Sequence, residues 1–437
     1  MNKLRVSVIN LGCPKNRIDA EIILGSLAQA GYLVTDDTNE AEVVIINTCA
    51  FIEEAIEESA AVIEEYESLR RKGMLRKLLV TGCLSQRNTT ELCGRFPWVD
   101  AFIGLDSIPD IPRIIKEINR QGEVYVYAKP VWNPAQDQPR LLSTPQHYAY
   151  LRLAEGCSNH CSYCTIPSIR GDLRLRSVDG IIEEAVNLVN IGVKELILIA
   201  QDTTAHTELT GILEQLENID GLRWIRLLYS HPAHVTEKLI EQMVKSKKIL
   251  NYMDMPIQHL ADSVLKRMNR RILSSRIKEI VKTSREFDPD FVLRTTVMVG
   301  FPGETDLEYQ ELVNGLEELE FTHLGIFAYS AEEGTNAATM EGAVEKEVVK
   351  ERIEILIDLA EKYQTRDMKK KKGTIQEAVV DFITPDSAVG RLWSSAPEID
   401  RLLEITNPGD IAPGTFTRVE ITGGKDDVIV ARRIESA

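Results

Sequence analysis

The sequence predicts an α/β multidomain protein. It reads as an N-terminal open parallel α/β sheet over residues 1–133, a linker over 134–147, a central partial (β/α)6 barrel over 148–372, and a small antiparallel β-barrel over 373–437. Three observations carry this. Short β-branched runs alternate with helical segments in the first part, six further strand-like runs alternate with helices in the middle, and beyond Gly373 only short strands between turn clusters remain. A chain of 437 residues has room for two or three such domains, and a hydrophobic content of 43% supplies their cores.

In the first segment the runs LRVSVINLGC, EVVIINTC and RKLLVTGC each end in a turn that carries a cysteine, Cys13, Cys49 and Cys83. Helices are expected over 16–30, stopped by Gly31, and over 52–71, stopped by Gly73, because glycine suits the position just past a helix end. Strand–helix–strand alternation makes the sheet parallel, and ligands of parallel sheets gather beyond the carboxyl ends of the strands. Cysteines 36 and 34 positions apart can therefore converge there and share a metal, and nearby helix N-termini would favour their thiolates. Plain packing of three core cysteines fits the same pattern. Cys93, in ELCGRF, lies off it and reads as a structural thiol.

Prolines 130, 134, 139 and 145 break both periodicities and mark the linker. Beyond it, strands are expected at 149–154, 195–200, 224–229, 252–257, 291–299 and 324–329. Ser177 caps a helix that Gly192 ends, and Thr305 with Glu308 forms a capping box opening a helix through Leu319. Six βα units are too few for an eight-stranded barrel, so an open six-stranded one is expected. The residues expected at its active face are Gln201 and Asp202, His231, Asp254, Gln258 and His259, and Arg294 with the GFPGE turn at 300–304. His231 and His259 also read as hydrogen-bonded core residues, and the turn as only a turn. The run Lys369–Lys372 ends a long helix starting near Glu345; a solvated face is the plainer reading and ribosomal RNA contact the other.

Lysine and arginine number 51 against 67 acidic residues, a net charge of −16, which argues against broad nucleic-acid binding. The tail has six basic residues against eleven acidic ones, a poor grip on phosphate and a better one on a basic protein surface. No apolar run approaches the ~18 residues of a membrane span, and MNKLRVSVIN lacks a secretory h-region, so a cytoplasmic protein without membrane contact is expected. Seven cysteines, an odd number, suit reduced thiols or metal ligands.

The stretch YLRLAEGCSNHCSYC sets Cys157, Cys161 and Cys164 in a C-x3-C-x2-C spacing, with Tyr163 before the last. Three thiolates can hold three corners of a [4Fe–4S] cluster, leaving one iron open to a substrate-like ligand. A structural zinc with His160 or a distant group as fourth ligand fits the spacing too. The motif resembles the radical S-adenosylmethionine (SAM) superfamily. With NLGCPKN, NTCAFIEEA, TGC, QDTT, MDMPIQH, TVMVGFPGET and SAPEID, the whole chain resembles the methylthiotransferase family within it.

That resemblance implies two [4Fe–4S] clusters, one on Cys157, Cys161 and Cys164 and an auxiliary one on Cys13, Cys49 and Cys83. It implies two SAM molecules per turnover, one as methyl donor and one as radical source, with Tyr163, Gln201 and Arg294 as cofactor contacts. The tail becomes a TRAM domain. The motif details suit the branch that adds a methylthio group to the β-carbon of an aspartate in small-subunit ribosomal protein S-twelve, assisted by an electron donor, a sulfur donor and ribosome contact. The family's alternative substrate is a tRNA adenosine, which the acidic tail disfavours. An alternative of another class is a metal-stabilised ribosome-binding factor without catalysis.

Overall fold

The computed structural model describes residues 4–118, 124–127, 138–425 and 428–434. These divide into two compact units. The first comprises Met1–Ser143, Ala154–Gly180 and Glu332–Thr335, and the second Thr144–Leu153, Ile181–Ala331 and Asn336–Ala437. No helix among the described residues is long and apolar enough to cross a membrane.

In the first unit six parallel strands, β1 (Arg5–Asn10), β2 (Leu33–Val34), β3 (Val43–Thr48), β4 (Lys77–Gly82), β5 (Ala101–Ile103) and β6 (Tyr125–Tyr127), lie in the order β2-β1-β3-β4-β5-β6. The β-branched VVIINT of β3 is buried on both faces, as a central parallel strand must be. Helices α1 (Pro14–Gln29) and α2 (Glu53–Arg71) occupy the expected stretches. A third, α3 (Cys83–Arg95), starts directly on Cys83, and α4 (Ile111–Glu117) follows β5.

Residues 134–137 of the expected linker lie outside the described residues. The remainder to 143 packs on α1: Arg140 pairs with buried Glu21 at 2.6 Å, and Ser143 N and Oγ donate to the same carboxylate at 2.9 and 3.0 Å. Proline composition reports only that no helix or strand forms there, not whether the segment is docked.

The second unit carries β7 (Tyr148–Arg152), after which the chain passes through the first unit's short antiparallel pair β8 (Ala154–Glu155) and β9 (Arg174–Leu175). It then adds β10 (Glu195–Ile199), β11 (Trp224–Leu227), β12 (Ile249–Asp254), β13 (Val292–Val299) and β14 (His323–Ala328). Together with β7 these form an open six-stranded parallel sheet, in sequence order from β7 to β14. Both helix-start signals hold: Gly180 N donates to Ser177 Oγ at 3.3 Å, and Thr305 and Glu308 close a reciprocal capping box on the helix Asp306–Leu319.

After the 26-residue helix Lys346–Lys371, strands β15 (Ile375–Ile383), β16 (Ser387–Leu392), β17 (Leu402–Thr406), β18 (Phe416–Lys425) and β19 (Val428–Arg433) close a barrel. Four of its ladders are antiparallel and the fifth, β17 with β19, is parallel. A closed ring of five strands cannot alternate direction throughout, so one parallel ladder is a necessity of the odd number.

A buried ionic ladder holds this barrel to the sheet within the unit. Glu195 accepts Arg226 Nε at 2.9 Å and Arg391 Nη1 at 2.7 Å, Arg391 Nε donates to Asp381 at 2.8 Å, and Asp381 meets His147 Nε2 at 2.7 Å. Burial works against the charge of Glu195, but Arg391 and Arg226 together hold its carboxyl below the usual range.

Candidate active site

The register of the N-terminal sheet brings three strand ends level. Asn10 pairs with Asn47 and Thr48 with Gly82, so the turns that follow carry Cys13, Cys49 and Cys83 side by side. At Gly12 a Cβ would stand 2.8 Å from Cys49 Cβ, and at Gly82 (φ +97°) one would stand 2.4 Å from Thr48 O. The turns therefore touch, and only glycine admits that approach.

Asparagines stitch them together: Asn16 Nδ2 donates to Leu11 O and Thr48 O at 3.0 and 2.9 Å, and Asn47 Nδ2 to Asn10 Oδ1 and Asn16 O, both at 2.8 Å. Ser59 Oγ donates to Cys49 O at 3.0 Å and accepts its N–H at 3.2 Å. Cys13, Cys49, Cys83 and Cys93 are free thiols. Burial pushes the Cys49 thiol up, and pushes Cys83 up to about 12 against the pull of Arg170.

The second cysteine triad sits in a loop of the same unit. Its neck is closed by the β8–β9 pair and by Cys157 N donating to Gly171 O at 3.1 Å. Gly156 (φ +73°) lies so close to Asp172 O that a Cβ would stand 2.2 Å away. Within the loop Cys164 N donates to Cys161 O at 3.1 Å, His160 adopts φ 51°, and the exposed His160 ring lies 3.9 Å from Asp172 Oδ1. Cys157, Cys161, Tyr163 and Cys164 are all half-buried. Directly behind Cys164 comes α5 (Ile166–Arg170), begun by Pro167 and ended by Gly171.

In the second unit, Gln201 and Asp202 follow the end of β10 as expected. Asp202 caps the next turn, accepting Ala205 N at 3.1 Å and Thr204 Oγ1 at 2.8 Å, and bonds His234 Nδ1 at 2.7 Å, which raises the pKa of that imidazole. His231 Nδ1 accepts Ala233 N at 3.2 Å, and burial, then Arg270, drives its pKa down to about 3. His259 has no exposed surface and its Nδ1 accepts Ala261 N at 2.9 Å, the core role that was the plainer reading.

Two expectations need correction. Arg294 is the third of the eight residues of β13, not at its carboxyl end, and its guanidinium lies 3.0 Å from Asp254 and 3.4 Å from Asp400. The amides of the GFPGE turn are met by the protein itself: Glu304 Oε2 accepts Gly300 N at 2.8 Å and Phe301 N at 3.2 Å, Gly342 O accepts Gly303 N at 2.7 Å, and Arg352 holds Glu304 Oε1 at 2.7 Å. The strand and the turn were readable in these motifs; the place of Arg294 along its strand was misread, and its partners Asp254 and Asp400 lie 40 and 106 positions away.

Residues 5–104 match the uncharacterized protein family UPF0004, residues 151–316 the radical SAM superfamily, and residues 373–434 the TRAM domain. The ribosomal protein uS12 methylthiotransferase RimO of Clostridioides difficile is 40% identical over 426 residues, 96% of each chain. The protein of the same name from Geobacter sulfurreducens is 41% identical over 435 residues, 97% of each. The chain belongs to the RimO family. Among solved structures, the radical SAM methyltransferase TsrM of Kitasatospora setae shares the fold at a TM-score of 0.54 and 15% identity, over 74% of this chain and 73% of that one. The cobalamin-dependent radical SAM enzyme OxsB does so at 0.56 and 12%, over 82% and 56%.

As a RimO-family member the chain is a radical SAM transferase that uses SAM and an iron–sulfur cluster. The residues fit such a group. Soft sulfur donors suit iron–sulfur clusters, and the close approach that Gly12 and Gly82 permit brings the half-buried Cys13 together with the buried Cys49 and Cys83.

Sequence reasoning passed over the residues that hold this RimO-family cradle together, Asn16, Asp19, Asn47, Ser59, Glu155 and Arg170. Arg170 donates from Nη2 to Asn16 Oδ1 and Asp19 Oδ2, both at 2.8 Å, and from Nη1 to Glu155 Oε1 at 3.0 Å, with Cys83 Sγ 3.5 Å from Nη2. Its one sequence signal is an arginine followed by a left-handed glycine, in IPSIRGD.

Proposed function

We propose that this protein transfers a methylthio group to the β-carbon of an aspartate in ribosomal protein uS12. The reading is supported above all by two cysteine triads in one unit, one on adjacent strand ends and one in a glycine-necked loop. Two [4Fe–4S] clusters follow from it, on Cys13, Cys49 and Cys83 and on Cys157, Cys161 and Cys164. When bound, they would supply the sulfur to be transferred and the electron that cleaves SAM.

A β-carbon hydrogen is not acidic enough for any side-chain base, so radical abstraction is what the reaction needs. The chain's own part is to fix the ligands and exclude water. The asparagine-stitched turns hold two buried thiols, Cys49 and Cys83, beside the half-buried Cys13, and Gly156 folds the loop so that its three cysteines leave from one neck. Tyr163 and Gln201 are retained as SAM contacts. An acidic protein with an acidic TRAM domain suits a basic protein substrate better than tRNA. An electron donor, a sulfur donor and the ribosome complete the expected partners.

Anaerobic reconstitution should load about eight irons per chain, at ~4 per cubane. Incubation with SAM, a reductant and either uS12 or tRNA, followed by mass spectrometry, should place one methylthio group on the protein. Modification of tRNA alone would reject the substrate. One zinc per site without SAM cleavage would leave a binding factor instead. Alanine at Cys157, Cys161 and Cys164 should abolish release of 5′-deoxyadenosine.

A further inference from the structure

We infer that Arg170 is the positioning residue shared by both cysteine triads, serving as hydrogen-bond donor and counter-charge to the Cys83 ligand and tying the Cys157–Cys164 loop to that site. The inference rests on the reading that Cys13, Cys49 and Cys83 hold a cluster. Arg170 ends the short helix that begins two residues after Cys164, and its partner Glu155 stands two residues before Cys157. Both feet of the loop thus meet on one guanidinium. The other side of that guanidinium lies against α1, at Asn16 and Asp19, and against Cys83 at the head of α3.

Only 5% of Arg170 is exposed, so water cannot replace any of these partners. Asn16, Asp19 and Cys83 share the two hydrogens of Nη2 while Glu155 takes Nη1, so a lysine, with one nitrogen, could not span both sides.

The Cys83 thiol now donates to Asn16 Oδ1, 3.6 Å away. Ligation removes that proton and turns the sulfur from donor to acceptor, and the N–H donor already beside it is Arg170. Without Arg170, the ligating sulfurs and the carboxylates of Asp19 and Glu155 would lose the guanidinium that now lies between them. Hydrogen bonds to cluster sulfurs and nearby positive charge favour the reduced state, so losing Arg170 lowers the reduction potential.

The test uses the full chain with Cys157, Cys161 and Cys164 changed to alanine, so that only the site at Cys13, Cys49 and Cys83 loads. Iron content, circular dichroism and the midpoint potential by electron paramagnetic resonance are compared for this parent and for Arg170→Gln and Arg170→Lys. The parent should hold about four irons, as one cubane requires. Both variants should titrate at a lower midpoint, the glutamine variant lowest. A parent without iron sinks the cluster reading itself. A parent with iron and variants that share its midpoint overturn the role of Arg170. Should the glutamine variant fail to fold, the lysine variant decides alone: it keeps the charge, loses the fork, and must still titrate below the parent.

Discussion

Glu195 is the hinge of the ladder that fastens the C-terminal barrel to the central sheet, and Glu195→Gln is its sharpest test. The substitution keeps the shape and removes the charge. Arg391 retains Asp381 at 2.8 Å, but Arg226 is left with Trp393 O at 2.9 Å and the face of Tyr252 at 4.7 Å. Neither neutralises a cation, and Arg226 has no exposed surface. Breaking one buried pair in this way costs about 3–5 kcal/mol. For a unit of this size each kcal/mol moves the midpoint by about 2–4 °C, so the unfolding temperature should drop by roughly 6–20 °C. Calorimetry at pH 7 on the full chain measures this, with urea titration as the independent check. The double change Glu195→Gln with Arg226→Met removes the stranded cation and should be more stable than Glu195→Gln alone. A drop under about 2 °C, or a double variant less stable than the single one, would refute the argument.

Gly156→Ala forces a Cβ to within 2.2 Å of Asp172 O at φ +73°, so the loop of Cys157, Cys161 and Cys164 should lose its metal. Iron after reconstitution should fall by about half, at ~4 per cubane, while circular dichroism stays unchanged. His259, driven down to about 3 by burial, stays neutral in the fold while it protonates in the unfolded chain below about 6.5. Its contribution is therefore full above pH 6.5 and shrinks as pH falls, by about 2 kcal/mol at pH 5. His259→Gln should flatten that part of the urea-stability profile, and an unchanged slope would count against it. Thr305→Ala opens the capping box of Asp306–Leu319 and should cost about 1 kcal/mol in urea denaturation.

What was legible in the sequence is local chemistry. β-branched runs gave the six barrel strands to within a few residues, and the cysteine-bearing turns after β1, β3 and β4 followed from strand ends alone. Ser177, Thr305 and Glu308 acted as caps because capping needs only near neighbours. What escaped was pairing over long separations. The pairing of Arg294 with Asp400 was out of reach because the two are 106 positions apart, and Arg170 was unremarked because Asn16 is 154 positions away. The GFPGE turn was expected at the active face or as only a turn, and the role of Glu304 as acceptor for its amides was not read. α3 was missed because its first residue is the cysteine itself and Asn88 interrupts its helical geometry.

The separation of 154 positions between Arg170 and Asn16 also has a consequence in time. A ribosome adds about 5–20 residues per second, so the sheet bearing Cys13, Cys49 and Cys83 emerges on the order of ten seconds before Arg170 exists to meet it. During that interval Asn16, Asp19 and the Cys83 thiol lack the guanidinium they share in the finished fold. Synthesis thus delivers Cys13, Cys49 and Cys83 first and their cation later, and the first unit becomes complete only when the chain has grown past residue 335.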